Sequence, residues 1–304
     1  MESTSEDEMS NKAEKHESAI VDLPARGQLS SLAPQLTITP SSVLLRKQRS
    51  GRVSLVGAGP GDPMLLTLKA LKAIEQADVI VYDRLVSDDI CALFPATAKA
   101  VYVGKAKGQH SASQDEINQI LIEYAQAGSS VCRLKGGDSF IFGRGSEEML
   151  ALKTLDIDVE VVPGITAAAG CTTYAGIPLT HRGMSQGCTF VTAHAEKTLD
   201  INWQALAQLD HTLVFYMGLS KTALITTRLI SAGMAADTPV ALIENGCCPE
   251  QRLVTGDLSM LSSLVDEHQV KSPALIVVGE VVSLAEQLQW LTAMSVQQQS
   301  KMTA

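Results

Sequence analysis

From Val53 onward, short β-branched and aliphatic runs alternate with segments whose apolar positions recur every three or four residues. That alternation predicts an α/β fold. Strands are expected at 53–57, 79–82, 100–103, 130–134 and 158–162, and a second set at 188–192, 212–216, 239–243, 251–255 and 274–278. One helix begins near Met64, with apolar residues at Leu65, Leu68, Leu71 and Ile74. Another opens at Ser113 with Glu116 three residues on, the spacing of a capping box, and stops at Gly128. The strands at 239–243 and 251–255 have no helix between them, so a hairpin-type connection around Asn245-Gly246 is expected. Two α/β domains of five strands each result, 51–163 and 164–286, with residues 287–304 as a helix end and tail.

The first 50 residues break this pattern. Residues 1–22 carry seven acids and two bases, and 23–52 carry five bases and no acid among Ser, Pro, Gln and Thr. With no sustained period, 1–50 is expected to be a disordered tail, too short for a second catalytic domain.

Composition narrows the function. In 304 residues, 33 acids against 24 bases give a net charge of −9, and aromatics are 4%. A nucleic-acid binder needs a cationic field and stacking rings, so that class is disfavoured. No apolar run reaches the 18 or so residues that span a bilayer, and the acidic N-terminus is unlike a signal peptide, so a cytoplasmic protein is expected. The six cysteines form no C-x-x-C pair and no histidine has ligand spacing, so reduced thiols and no metal are expected.

Three glycine-rich stretches follow predicted strands, where α/β sheets bind ligands. In Gly57-Ala58-Gly59-Pro60-Gly61-Asp62 the third glycine of a dinucleotide fingerprint is replaced by Asp62. Pro60 also removes an amide donor, so the loop suits a ligand without phosphates, or a structural turn, and speaks against an NAD-dependent oxidoreductase. In the second, Lys135 to Gly145, paired glycines allow close approach to the backbone, Asp138 is an acceptor for an amine or ribose hydroxyl, and Arg144 suits a carboxylate. The third, Pro163-Gly164-Ile165-Thr166-Ala167-Ala168-Ala169-Gly170, sits at the expected domain joint.

These stretches carry a resemblance. GAGPGDPMLLTLKA at 57–70, VYDRLVS at 81–87, LKGGDSFIFGRGSEE at 134–148, VPGITAAAG at 162–170, YAGIPLTHRG at 174–183, FYMGL at 215–219, TPVALIENG at 238–246 and PALIVVGEVV at 273–282 resemble the tetrapyrrole methylases, within them the uroporphyrinogen-III C-methyltransferases. The resemblance implies a methyl donor, S-adenosylmethionine, folded in a cleft between two domains and needing no metal. It implies donor contacts at Pro60, Gly136, Gly137, Asp138, Ile141, Thr166, Ala167, Met217 and Gly246. It also implies Asp83 as proton acceptor and Lys105 as proton donor, alongside the plainer readings of a loop cap and a solvated cation. The substrate would be a small-molecule tetrapyrrole with eight carboxylates, for which Lys105, Lys107, Lys135, Arg144, His181 and Arg182 are the candidate cations, Arg144 also in the catalytic set. A homodimer is implied by the resemblance alone. A sensor that binds the same ligands without catalysis is the alternative, and it would lack the Asp83 and Lys105 pair. Ser139 stands where proline is common, Ala106 follows Lys105 where arginine is frequent, and Cys247 and Cys248 replace Thr or Ser; the cysteines read as small buried residues.

Overall fold

The computed structural model describes residues 51–104, 112–194 and 201–291. The expected tail, 1–50, lies outside them, as do Lys105 and Lys107.

Ten strands fall into two five-stranded sheets on either side of Pro163-Gly164. The first holds β1 (Arg52–Gly57), β2 (Val79–Tyr82), β3 (Lys99–Tyr102), β4 (Ser130–Lys135) and β5 (Asp158–Val162), all parallel in the order β3-β2-β4-β1-β5. Because successive side chains point to opposite faces, a parallel sheet needs cover on both. Val56, Ile80, Cys132 and Leu134 pack on one face with Ala70 and Ile74 of α1 (Leu68–Glu75) and Ile90 of α2 (Asp88–Cys91). Val53, Val79, Val81 and Val131 pack on the other with Ile117 and Leu121 of α3 (Gln114–Gln126) and Leu152 of α4 (Gly145–Lys153). The capping box is present: Ser113 Oγ accepts from Glu116 N at 3.2 Å and Glu116 Oε2 accepts from Ser113 N at 2.6 Å. The helix expected near Met64 instead starts as a 3-10 turn at Pro63–Leu65, because Asp62 Oδ1 caps Met64 N and Thr67 Oγ1 starts a new helix by accepting from Ala70 N.

After α5 (Ala167–Tyr174), the second sheet holds β6 (Gly187–Thr192), β7 (His211–Tyr216), β8 (Pro239–Glu244), β9 (Arg252–Asp257) and β10 (Ala274–Val278), ordered β6-β7-β10-β8-β9. Only β6 and β7 are parallel; β8 and β9 form the expected antiparallel pair. One face packs on α6 (Trp203–Gln208), α7 (Thr222–Ser231) and α8 (Leu261–Glu267), the other on α5. No helix among the described residues is long and apolar enough to cross a membrane.

The strand order fixes where a ligand can enter. The chain leaves β1 for β2 on one side, and leaves β4 for β5 on the other, so the loops after these adjacent strands diverge to opposite faces. A crevice at the carboxyl ends of β1 and β4 is the geometric result.

Candidate active site

The glycine loops meet at this crevice. Gly59 N donates to Gly137 O at 3.0 Å and Gly137 N to Gly59 O at 2.7 Å, so the loops after β1 and β4 are laced as a short antiparallel bridge. The third loop closes on both, since a methyl built on Gly57 would fall 2.6 Å from Gly164 N and 2.7 Å from Gly137 O. Only bare backbone fits there. Asp138 ties the set together: its Oδ2 accepts from Gly164 N at 3.0 Å, and its Oδ1 from Phe140 N at 2.8 Å and Ile141 N at 3.2 Å. An expected ligand acceptor is therefore also the staple of its own loop, sharing its oxygens with three amides.

Gly136 lies under Leu85 of the loop after β2. Gly137, at φ 72°, faces the start of α5, where a methyl would stand 3.7 Å from Ala167 N and 3.9 Å from Thr166 Cα. Pro60 packs against α5 at Gly170, and Gly61 against Cys248. The second half supplies the far side. Tyr216 Oη lies 2.6 Å from Thr166 Oγ1 and accepts from Ala168 N at 2.9 Å, and its ring meets Phe142 at 4.8 Å. Met217 follows it, half exposed, at φ 55°. Gly246 is buried against Cys171, where a methyl would fall 2.3 Å from Sγ. Of seven non-glycine residues with positive φ among the described residues, five (Phe142, Arg144, Met217, Asn245 and Cys247) lie in these loops. Such strain persists where surrounding structure enforces it and concentrates at ligand sites. Thus Pro60, Gly136, Gly137, Asp138, Ile141, Thr166, Ala167, Met217 and Gly246 stand on four loops and the start of α5. The backbone is bare where Gly137 faces α5, with ordinary contact distances to Thr166 and Ala167.

Asp83 opens the loop after β2. Its Oδ1 accepts from Leu85 N at 3.0 Å, a cap on its own turn, and its Oδ2 lies 3.3 Å from Arg133 Nη2. Arg133 is buried on β4 and continues to Glu148 of α4. Lys135 corrects an expectation: it is not a cation facing the cleft but is 4% exposed, with Nζ 2.8 Å from Glu148 Oε1. Strand alternation is the reason, since Val131, Arg133 and Lys135 share the face under α3 and α4. Burial holds the Lys135 ammonium below the usual lysine range; Arg133 adds to this, while Glu148 and Asp83 oppose it.

Arg144 sits at φ 57° just before α4 and grips Glu147 with both arms, Nε to Oε1 at 2.8 Å and Nη2 to Oε2 at 2.7 Å. That hydrogen bond is the main reason the Glu147 carboxyl is held below its ordinary range. His181 and Arg182 are exposed in a turn closed by reciprocal His181 and Ser185 backbone bonds. Ser139 is fully buried with an unpartnered hydroxyl. Cys247 is buried beside Cys171, and hydrogen bonding to Cys171 and burial push its thiol up. Tyr216 and Glu148 fall inside stretches that carry the resemblance and Arg133 adjoins one, but the resemblance assigns none of the three a role. The available signal is Arg133 and Lys135, two apart at the end of an expected strand; burying both cations demands a buried acid. Among the described residues no group of three or more His, Cys, Asp or Glu is arranged to hold a metal.

Residues 52–262 match the profile of the Tetrapyrrole (Corrin/Porphyrin) Methylases. The chain belongs to this family. It is 56% identical over 243 residues to siroheme synthase 2 of Yersinia enterocolitica, covering 80% of this chain and 51% of that protein. The chain spans about half the length of the curated relatives it matches. A uroporphyrin-III C-methyltransferase of Thermus thermophilus, solved with S-adenosylhomocysteine, superposes with a TM-score of 0.67 at 40% identity over 77% of this chain and 100% of that one. A cobalt precorrin-4 methyltransferase superposes at 0.70 with 27% identity over 79% of this chain and 99% of that one.

Proposed function

We propose that this methylase transfers methyl groups from S-adenosylmethionine to two ring carbons of uroporphyrinogen III, giving precorrin-2 by way of precorrin-1, a precursor for siroheme, cobalamin or related tetrapyrroles. The observation that carries the reading is the crevice itself, a glycine-laced cradle without a phosphate-binding fingerprint, closed from the second half by Tyr216, Met217 and Gly246. Higher identity to a uroporphyrin-III methyltransferase than to a precorrin-4 methyltransferase favours the earlier substrate.

The donor supplies an electrophilic methyl on a sulfonium sulfur, which keeps the bonding pair as the new carbon–carbon bond forms. The chain's part is alignment and exclusion of water. Gly136, Gly137, Thr166 and Ala167 let the donor lie against backbone, with Pro60, Asp138, Ile141, Met217 and Gly246 around it. Arg144, His181, Arg182 and, outside the described residues, Lys107 hold substrate carboxylates. After attack the ring must lose a proton, and Asp83 is the acceptor, with Lys105 as the donor. The chain works as a homodimer in the cytoplasm.

The test is incubation of purified protein with uroporphyrinogen III and isotopically labelled donor, followed by mass analysis. The expected product carries two labelled methyl groups. A product with one, or transfer only to a later corrinoid or to protein, would overturn this assignment.

A further inference from the structure

Behind Asp83 lies a cluster that the proposed chemistry does not use directly. Glu148 has no exposed surface, and its Oε1 accepts from Lys135 Nζ at 2.8 Å, Arg133 Nε at 3.2 Å and Gln114 Nε2 at 3.2 Å. Its Oε2 is buried without a partner. Arg133 is held further by the carbonyls of Leu134 at 3.1 Å and Val81 at 3.5 Å, and its remaining arm, Nη2, is the one that reaches Asp83. Three donors crowd one oxygen while the other has none, a wasteful arrangement for a purely structural ion pair. Burying a charged acceptor unpartnered is costly, and replacing a buried pair with apolar residues is often neutral or stabilising. What the arrangement does achieve is a guanidinium with one permitted orientation.

We propose that Glu148 is a positioning residue for Asp83: it fixes Arg133, and Arg133 with the Leu85 amide fixes the carboxylate that takes the substrate proton. The inference rests on Asp83 being that acceptor. Two hydrogen bonds, one to each Asp83 oxygen, set the plane of the carboxylate. Asp83 is a quarter exposed, so without Arg133 held in place it would have freedom to turn toward water. Glu148 never meets the substrate and acts only through this chain of contacts.

The experiment is a double-variant comparison on the full chain: Glu148→Gln, Asp83→Asn and the two combined. Single-turnover rate on uroporphyrinogen III, KM and S-adenosylhomocysteine affinity are measured for each, with thermal melting as a fold check. Glu148→Gln is expected to lower the single-turnover rate about 10-fold, less than the roughly 10²–10⁴-fold of a group that itself moves the proton, with KM and donor affinity unchanged. In the Asp83→Asn background it should cost nothing further, because the group it positions is gone. Glu148→Asp keeps the charge on a shorter arm and serves if the Gln variant does not fold; it is expected to fall between wild type and Glu148→Gln, with the same loss of effect beside Asp83→Asn. A slow Asp83→Asn whose rate drops again by the same factor on adding either Glu148 change would overturn the proposal while leaving the role of Asp83 intact. A normal rate for Asp83→Asn alone would instead remove the reading on which the inference rests.

Discussion

Tyr174 donates its phenol to Asp62 Oδ2 at 2.6 Å, binding the end of α5 to the first glycine loop, 112 residues away in sequence. The other Asp62 oxygen caps the turn at Met64, so one carboxylate shapes the loop and anchors it to the second half. Burial first, and then the bond to Asp62, push the Tyr174 hydroxyl up, so it remains a donor across the neutral range.

Tyr174→Phe removes that donor and keeps the ring, which packs edge-on to Trp290 at 5.5 Å. A hydrogen bond to a charged acceptor is worth about 1.5–3 kcal/mol, and partial exposure places this one at the lower end. Calorimetric melting should fall by several degrees and S-adenosylhomocysteine should bind more weakly. An unchanged melting temperature would show that the loop is held without this bond.

Much of the architecture was legible because the hydrophobic pattern is local. All ten strands lie within two residues of their expected bounds, and the Ser113 capping box and the β8–β9 pairing follow from short-range signals. Contacts that depend on register across distant strands were not legible. Lys135 reads as a cation beside a glycine loop, yet parity on β4 turns it inward to Glu148, 13 residues on. Tyr216 lies in the FYMGL stretch without a role read from it; its place over Thr166 and Phe142 depends on how α5 and the loop after β4 meet β7. Asp62 reads as the residue that replaces the third glycine of a dinucleotide fingerprint, and only the fold shows it as a tie to Tyr174.

The thiols predict an alkaline limit to stability. Burial pushes Cys132 up to about 12, and burial with nearby acids pushes Cys248 up to about 11, from an ordinary 9.0. Above pH 9 the unfolded chain loses protons that the folded thiols retain, so unfolding releases protons and stability falls as pH rises. Below pH 9 both states hold them and the effect vanishes. Denaturant midpoints should therefore decline between pH 9 and 11, with a shallower slope in Cys248→Ala. Equal slopes would mean that Cys248 ionises alike in both states. At pH 8, iodoacetamide should label exposed Cys188 well before buried Cys132, Cys171 and Cys247, read by peptide mass analysis.

Gly246 has no room for a side chain. A methyl there would fall 2.3 Å from Cys171 Sγ and 2.6 Å from its Cβ, on the helix whose first turn faces Gly137. Overpacking costs about 1–3 kcal/mol, so Gly246→Ala should lower stability by that amount and weaken S-adenosylhomocysteine binding by displacing α5. Gly233→Ala is the control: nothing lies within 4 Å of the added methyl, although its φ of 102° imposes backbone strain. It should lower melting while leaving donor affinity unchanged. Weaker donor binding in both variants would point to general loosening rather than to a local effect at Gly246.

Variants of Arg144 and Glu147 test the proposed substrate holding apart from stability. Their bidentate pair is about half exposed, at 54% and 51%, and exposed pairs contribute about 0–1 kcal/mol. The guanidinium thus already grips a carboxylate of the planar shape that a tetrapyrrole acetate presents, and a substrate can exchange with Glu147 at little cost in fold stability. Arg144→Lys keeps the charge but loses the fork. Lysine must adopt the same φ of 57° as arginine, so the backbone penalty cancels in the comparison. Melting should shift little and S-adenosylhomocysteine affinity should hold, while KM for the tetrapyrrole rises about 10-fold, a loss of about 1.4 kcal/mol of binding. Glu147→Gln should act in the opposite sense on KM, because a neutral amide competes less well for the guanidinium. If Arg144→Lys leaves KM unchanged, the Arg144 guanidinium does not hold the substrate, and the carboxylate clamp falls to Arg182 and His181 in the turn before β6.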